Sequence, residues 1–476
     1  MAVLSGLLVL VAPSGGAPSD AATGSVRVRP GDDWTLPGWV RPSPNSGFFS
    51  EQAAPEYHVD LRGLDLTWRQ LQPGGPGRLR DDTTGTAEDL TFRPLREQLA
   101  QKRPYWMRVF AGGSSWAPGW VADECGVEPI GPDYEGQYHL PIWNECVWER
   151  LLGLYKKLFV ESGLRADPRL RFVYVPGAFT WAEFDYDIVS AAAEQGLTFE
   201  EYRSWYSHAW RDLAALESLP VHDGRHVVAT ENECFNDCGY TTAEPYYAVR
   251  QANLKALQLR MNWVYVVPGP SYMKRYPDQW RWLRLSIGKT ASDSPDAWAA
   301  LRDAEDTYWK DETGPFTGNR AWRTRPWVRN LERWLVQRDV RPDGTPRRST
   351  ADVHRNVLSE ENGTAYEGLR TDRAHGQTSM YFDVDERFRS RHDRRAVDVK
   401  VTYRDAGRGT WWIEYEGGRS PRVRRSGDGA WKTATVRLSR PVFAGRLRGG
   451  TDFRIVTGAG DDLDVRFVRV VRRGGP

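Results

Sequence analysis

Cysteine and histidine are scarce in this chain: its 476 residues hold four and eight of them, and the histidines do not gather around the cysteines. Neither cysteine pair has zinc-ribbon spacing, so no metal centre is expected. No Gly-x-Ser-x-Gly elbow occurs, which argues against a nucleophilic serine hydrolase. No glycine-rich phosphate fingerprint follows an apolar run, and a doubly wound nucleotide-binding sheet is disfavoured. Charge of one sign is also missing, since 65 basic against 63 acidic side chains leave +2 at pH 7. The chain as a whole therefore lacks the electrostatic footprint of a nucleic-acid binder. Beyond the N-terminus no apolar run is long enough to span a bilayer.

The even cysteine count fits disulfides. Cys234 and Cys238 are close enough to close a small loop, which leaves Cys125 and Cys146 to staple a longer one. Residues 1–22 read as a secretory signal, with an apolar run from Val3 to Ala12 and a small, turn-rich stretch after it. A secreted protein is expected. The chain is too long for one ordinary domain. The basic excess is local: from Glu360 to Pro476 there are 24 Lys plus Arg against 17 Asp plus Glu, a surplus of seven.

Strand-like and helix-like patterns alternate along the first part of the chain. Strands are expected at Tyr57–Trp68, Tyr105–Ala111, Arg171–Ala178, His226–Glu231 and Asn262–Val267. Helices are expected at Leu90–Gln101, Ile142–Ser162, Asp187–Glu194, Thr198–Leu216 and Tyr246–Leu259, and the aromatic stretch Trp298–Arg338 also reads as helical. This alternation predicts a (β/α)8 TIM barrel over 23–345. A polar linker over 346–360 would follow. From 361 to 476 the pattern changes to short strands separated by Gly, Asp and Ser, at Ser379–Val384, Val397–Tyr403, Trp411–Tyr415, Trp431–Leu438, Asp452–Val456 and Leu463–Val471. An all-β, jelly-roll-like sandwich is expected there.

Two apolar runs end in glutamate. Phe172–Val175 leads through Gly177 and Trp181 to Glu183, and Val227–Thr230 leads to Glu231 and Glu233. Glycosidic cleavage needs a protonated carboxyl beside the leaving oxygen and a second carboxylate across the anomeric carbon. Glu183 lies among Phe179, Trp181 and Phe184, and apolar neighbours raise a carboxyl pKa as a general acid requires. Glu231 and Glu233 are two apart, so an extended backbone points both the same way. Sugar faces stack on indole, and Trp68, Trp106, Trp116, Trp120, Trp181 and Trp263 all fall near expected strand ends. Most tryptophans are packing residues, and about two of these six are expected to touch ligand. Arg108 is a charge inside an apolar strand and must find a partner, with Glu183 or Glu231 as candidates. Trp411 and Trp412 are adjacent, so only one can face a sandwich core.

The run Leu64-Asp65-Leu66-Thr67-Trp68-Arg69-Gln70-Leu71-Gln72-Pro73 and the later Trp116-Ala117-Pro118-Gly119-Trp120 resemble elements of clan A glycoside hydrolases, notably β-galactosidase-like barrels. The resemblance implies that Glu183 is the acid/base at the end of the fourth strand. Members of that family carry Asn before this glutamate, whereas Ala182 stands here and the Asn-Glu pair is Asn232-Glu233. Asp293 and Asp296 are fallback candidates for the second carboxylate. The pieces Val401-Thr402-Tyr403-Arg404-Asp405, Trp431-Lys432-Thr433 and Asp452-Phe453-Arg454-Ile455 are similar to accessory β-sandwiches of secreted carbohydrate enzymes.

The expected activity is a glycosidase cleaving oligo- or polysaccharide, with Glu183 paired to Glu231 or Glu233. Trp68, Arg108, Trp116, Trp120, Trp181, Asn232 and Trp263 are expected to bind substrate. No cofactor or metal, no nucleic-acid partner and no membrane span enter this reading. The alternatives are a non-catalytic carbohydrate-binding or cell-surface protein on the same scaffold, and a hydrolase or lyase of an acidic polysaccharide.

Overall fold

The computed structural model describes residues 24–31, 34–50, 59–77, 79–80, 102–132, 136–174, 245–266, 272–301, 330–338 and 368–475, with only short stretches between them. The chain divides into two compact units, one comprising residues up to Val40 and from Thr290 onward, the other comprising Arg41–Lys289. The break therefore does not fall in the expected linker 346–360. Short strands Arg347–Arg348 and Val353–Arg355 lie within that stretch, and the rest of it is outside the described residues.

Sixteen strands carry the description. In chain order they are β1 (Val26–Pro30), β2 (Gly47–Phe49), β3 (Arg62–Thr67), β4 (Tyr105–Phe110), β5 (Leu170–Val173), β6 (Ala229–Thr230), β7 (Trp263–Tyr265) and β8 (Asp296–Ala300). There follow β9 (Leu331–Arg333), β10 (Leu335–Arg338), β11 (Ser379–Val384), β12 (Val397–Arg404), β13 (Gly409–Tyr415), β14 (Trp431–Leu438), β15 (Phe453–Gly460) and β16 (Asp464–Arg472).

In the unit 41–289, β3, β4 and β5 form one parallel ladder, and β6, β7 and β2 form another. Alternation sends successive side chains of β3 and β4 to opposite faces. Leu64, Leu66, Met107 and Val109 face a core built with helices α1 (Gly119–Cys125) and α2 (Glu145–Tyr155), through Val121, Leu151 and Leu154. Helix α2 starts at Asn144, whose side chain accepts from the backbone N–H of Cys146 at 3.0 Å and of Val147 at 3.3 Å. The opposite face is aromatic: Phe49, Trp106, Phe172, Trp263 and Tyr265 pack in one cluster that spans both ladders. Gly63 is required there, because a Cβ at that position would lie 2.7 Å from the Trp106 ring.

The predicted TIM barrel is corrected by this pairing. Most described strands of the chain are antiparallel, parallel ladders form only the two three-stranded sheets among the described residues, and no eightfold parallel β/α repeat is present among them. Part of the segment assigned to the barrel belongs to the other unit. Within Trp298–Arg338, read as helical, the described residues at either end are strands β8, β9 and β10. All five residues of β8 are buried, so an interior strand without polar alternation, rich in Ala, mimics a buried helix. The stretch Leu90–Phe92 is likewise strand rather than helix.

The second unit is built on two antiparallel sheets around a common core, with a small three-stranded sheet of Asp303–Ala304, Thr364–Tyr366 and Val353–Arg355 besides. One runs β1-β14-β12-β16-β8-β9, the other β10-β11-β15-β13 with the short strand Gly418–Arg419 at its edge. Val399, Val401, Val436 and Val468 of the first sheet meet Phe382, Ile413, Phe453 and Ile455 of the second. Strand β1 enters by pairing with β14, Val28 opposite Ala434. Asp296 of β8 is fully buried and ion-paired at 2.9 Å with buried Arg469 of β16, so this fallback acid serves the core of the β unit. Asp293 instead caps the turn in which it accepts from the Thr290 N–H.

Candidate functional site

The C-terminal ends of β3 and β4 are joined by their following loops. Thr67, the last residue of β3, caps the one-turn helix Trp68–Leu71: its hydroxyl accepts from Gln70 N–H at 3.0 Å, while Gln70 Oε1 accepts from Thr67 N–H at 3.1 Å. Arg69 then holds the loop after β4, donating through its backbone N–H to Trp116 O at 2.8 Å and through Nε to Ala117 O at 3.1 Å. Ser114 and Ser115 of that loop are tied to Gln137 Oε1 at 3.2 and 3.0 Å. These bonds fix a rim on which Trp116 is half-buried, its ring centroid 4.6 Å from buried Phe110, and on which Tyr138 is exposed.

Below the rim, on the aromatic face, Arg108 of β4 is buried and its Nε donates to Asp65 Oδ1 at 3.0 Å. The parallel register sets Asp65 directly beside Arg108. The guanidinium also lies over the rings of Phe110, Tyr174 and Trp106, at 4.4, 5.3 and 5.4 Å from their centroids. At 1% exposure this cation, in its aromatic surround, serves the β3–β4 strand pair.

The other expected site residues separate into three groups. Trp68 and Trp263 are buried at 0% and 2% exposure, and Trp106 is equally enclosed, so these indoles are core rather than ligand surface. Trp68 donates from Nε1 to Gln72 Oε1 at 3.0 Å. Trp120 is half-buried against Trp68, and its Nε1 donates to Gln72 O at 2.8 Å, which leaves part of its ring on the rim. Trp181, Glu183, Glu231, Asn232 and Glu233 lie outside the described residues, as do Cys234, Cys238 and the segment 1–22. In the chain, Glu231 directly follows Thr230, the last residue of β6, and β6 is parallel to β7.

No protein-family model, no curated protein and no solved structure matches this chain.

Glu183 and Glu231, the partners expected for Arg108, lie outside the described residues, and the carboxylate described against it is Asp65. The signal was the Gly63, Asp65, Thr67 alternation, which puts Asp65 on the same face as Arg108 once β3 and β4 pair in register. Tyr174, one residue past β5, was missed for the same reason. Cys125 and Cys146 form the expected disulfide, with Cα atoms 5.6 Å apart. Among the described residues no three His, Cys, Asp or Glu side chains converge as a metal site, and no helix is long and apolar enough to cross a membrane.

Proposed function

We propose that this protein is a glycoside hydrolase that cleaves O-glycosidic bonds of an oligo- or polysaccharide outside the cell, with Glu183 as acid/base and Glu231 or Glu233 as its partner. The observation that carries the reading is Trp116, half-exposed over Phe110 just after the carboxyl end of parallel strand β4. In the sequence, Glu231 follows Thr230, the last residue of β6. The carboxyl ends of parallel strands are where α/β proteins collect ligands and catalytic side chains. The Cys125–Cys146 disulfide supports an oxidising, extracellular compartment.

The test is release of reducing ends from a panel of neutral and acidic glycans by the full chain and by Glu183→Gln, Glu231→Gln and Glu233→Gln. Loss of one acid/base group should slow turnover by about 10²–10⁴-fold. Activity on a glycan that survives all three substitutions would end this assignment. Absence of hydrolysis by the wild-type chain on every glycan, with retained binding, would favour a non-catalytic carbohydrate-binding protein.

A further inference from the structure

The loop Asp385–Ala396 connects β11 of one sheet to β12 of the other and is anchored by Phe388, 2% exposed. Five of its residues are arginines. Arg387, Arg391 and Arg395 are exposed and paired with Asp385, Glu386 and Asp393 respectively. Arg394 is exposed too, and its Nη1 donates to backbone carbonyls, to Arg391 O at 2.7 Å and Asp393 O at 3.3 Å. Strand pairing brings the chain's last strand to the same end, since Val397 lies opposite Arg472. There Arg473 pairs with Asp398 at 2.8 Å.

Two further guanidinium groups sit beneath this surface. Arg389 is buried with its Nη2 donating to the carbonyls of Asp393 and Arg395, and Asp393 is its nearest carboxylate, at 3.7 Å. Buried Arg472 donates to the carbonyls of Ser292, Ala291 and Phe388. Burial pushes the Arg389 pKa down to about 10; Asp393 opposes the shift, and the nearby Arg395, Arg472 and Arg394 add to it. Seven arginines, from Arg387 to Arg395 together with Arg472 and Arg473, thus meet the carboxylates of Asp385, Glu386, Asp393 and Asp398, with Asp293 also acting on Arg472 and Asp452 on Arg391. Arg394 is held by carbonyls rather than by a carboxylate, and Arg395, Arg472 and Arg394 all act unfavourably on the charge of Arg389. An anion at this end would relieve that repulsion.

We propose that this arginine-rich end of the β unit, formed by the loop 385–396 and the end of β16, is a docking site for an acidic polysaccharide. Guanidinium forks match carboxylate and sulfate oxygens in pairs. The aromatic rings beside these arginines, Phe388 and Phe443, are buried at 2% and 3% exposure, so no platform for stacking bases is offered. The choice of a polysaccharide among anionic polymers rests on the carbohydrate reading above.

The test is affinity electrophoresis of the full chain in gels containing polygalacturonate, chondroitin sulfate or neutral dextran, with a single-stranded DNA 30-mer as a separate probe. Wild-type protein is expected to be retarded by one or both acidic polysaccharides and not by dextran. Which of them retards it separates carboxylate from sulfate recognition. Apparent affinity should fall at least tenfold between 0.05 and 0.3 M NaCl, as screening requires. The triple variant Arg391→Ala, Arg394→Ala, Arg395→Ala should lose at least tenfold, and Arg424→Ala, at the opposite end of the strands, should change nothing. If the triple variant loses its folded circular-dichroism spectrum, Arg394→Ala alone decides, with a two- to fivefold loss expected. Unchanged binding in the deciding variant, equal binding to dextran, or tighter binding to the DNA would overturn the proposal. The measurement needs no turnover, so absent hydrolysis with intact polymer binding counts against the hydrolase reading alone.

Discussion

Asp65 and Arg108 are neighbours across the parallel β3–β4 ladder, 3.0 Å apart and both buried. The pair sits between two apolar layers, with the helix-facing core on one side and the aromatic cluster on the other. Removing the carboxylate takes an ion-paired acceptor from a buried guanidinium that water reaches poorly. Asp65→Asn is therefore expected to cost about 3–5 kcal/mol, whereas a joint replacement by Leu and Met costs much less. Urea unfolding of the two variants checks this. A single variant within 1 kcal/mol of wild type would show that Asp65 does not hold the buried charge.

Trp116 and Trp68 are expected to fail in opposite ways. Trp68 is fully buried, and its truncation to Ala should destabilise the unit by about 3–5 kcal/mol. Trp116 is half-exposed on the rim and packs mainly on Phe110. Trp116→Ala should leave the melting temperature nearly intact while weakening glycan binding by roughly tenfold, the worth of one stacking contact of about 1.4 kcal/mol. Titration with the best glycan found by the hydrolysis panel separates the two. Unaltered binding in Trp116→Ala would remove the rim from the ligand site.

Strand patterns of the β unit were legible because each buries one face: Ser379–Val384 and Trp431–Leu438 match the expected limits, and Trp411 is buried while Trp412 is half-exposed, with Nε1 donating to Glu414 at 2.8 Å. Long amphipathic helices were legible for the same reason, as at Pro245–Gln258. Strand β8 was not, because burial on both faces erases alternation. Strand β1 was not either, since its partner β14 lies some 400 residues away and the exposed Val-Arg-Val-Arg-Pro carries no local sign of it. At the candidate site, sequence identified residue types at strand ends but not pairings. The register that sets Asp65 beside Arg108 depends on which strands become neighbours, and no local pattern encodes that.

The disulfide between Cys125 and Cys146 joins the end of helix α1 (Gly119–Cys125) to the first turn of α2, across 21 residues of sequence. This is the loop that follows the rim. Closing it restricts the unfolded chain by about 3 kcal/mol. Replacing both residues by Ser should lower the melting temperature by several degrees without reductant and shrink the further drop that reductant causes. A wild-type melting temperature unchanged by reductant, with both thiols then shown by alkylation, would mean that the covalent link adds no stability.

Asp452 couples the stability of the β unit to pH. Its carboxylate is buried and accepts from Val384 N–H and Gly445 N–H, each at 2.8 Å, which ties strand β11 to the loop before β15. Burial nevertheless raises its pKa to about 6, the two backbone donors opposing and Asp383 adding to the rise. A carboxyl raised above its unfolded value near 4 favours the protonated folded state. Its contribution is therefore fully present below about pH 4 and is lost as pH climbs through about 6. The shift corresponds to a loss of about 3 kcal/mol by pH 7. Asp452→Asn keeps an acceptor for one N–H but cannot ionise, so it carries a constant offset instead of this slope. Urea unfolding of both proteins at pH 4.5, 5.5, 6.5 and 7.5 isolates the term, because the other titrating groups cancel in the difference. The wild-type protein should lose stability relative to the Asn variant as pH rises; a difference that stays flat, or runs the other way, would show that Asp452 ionises without cost.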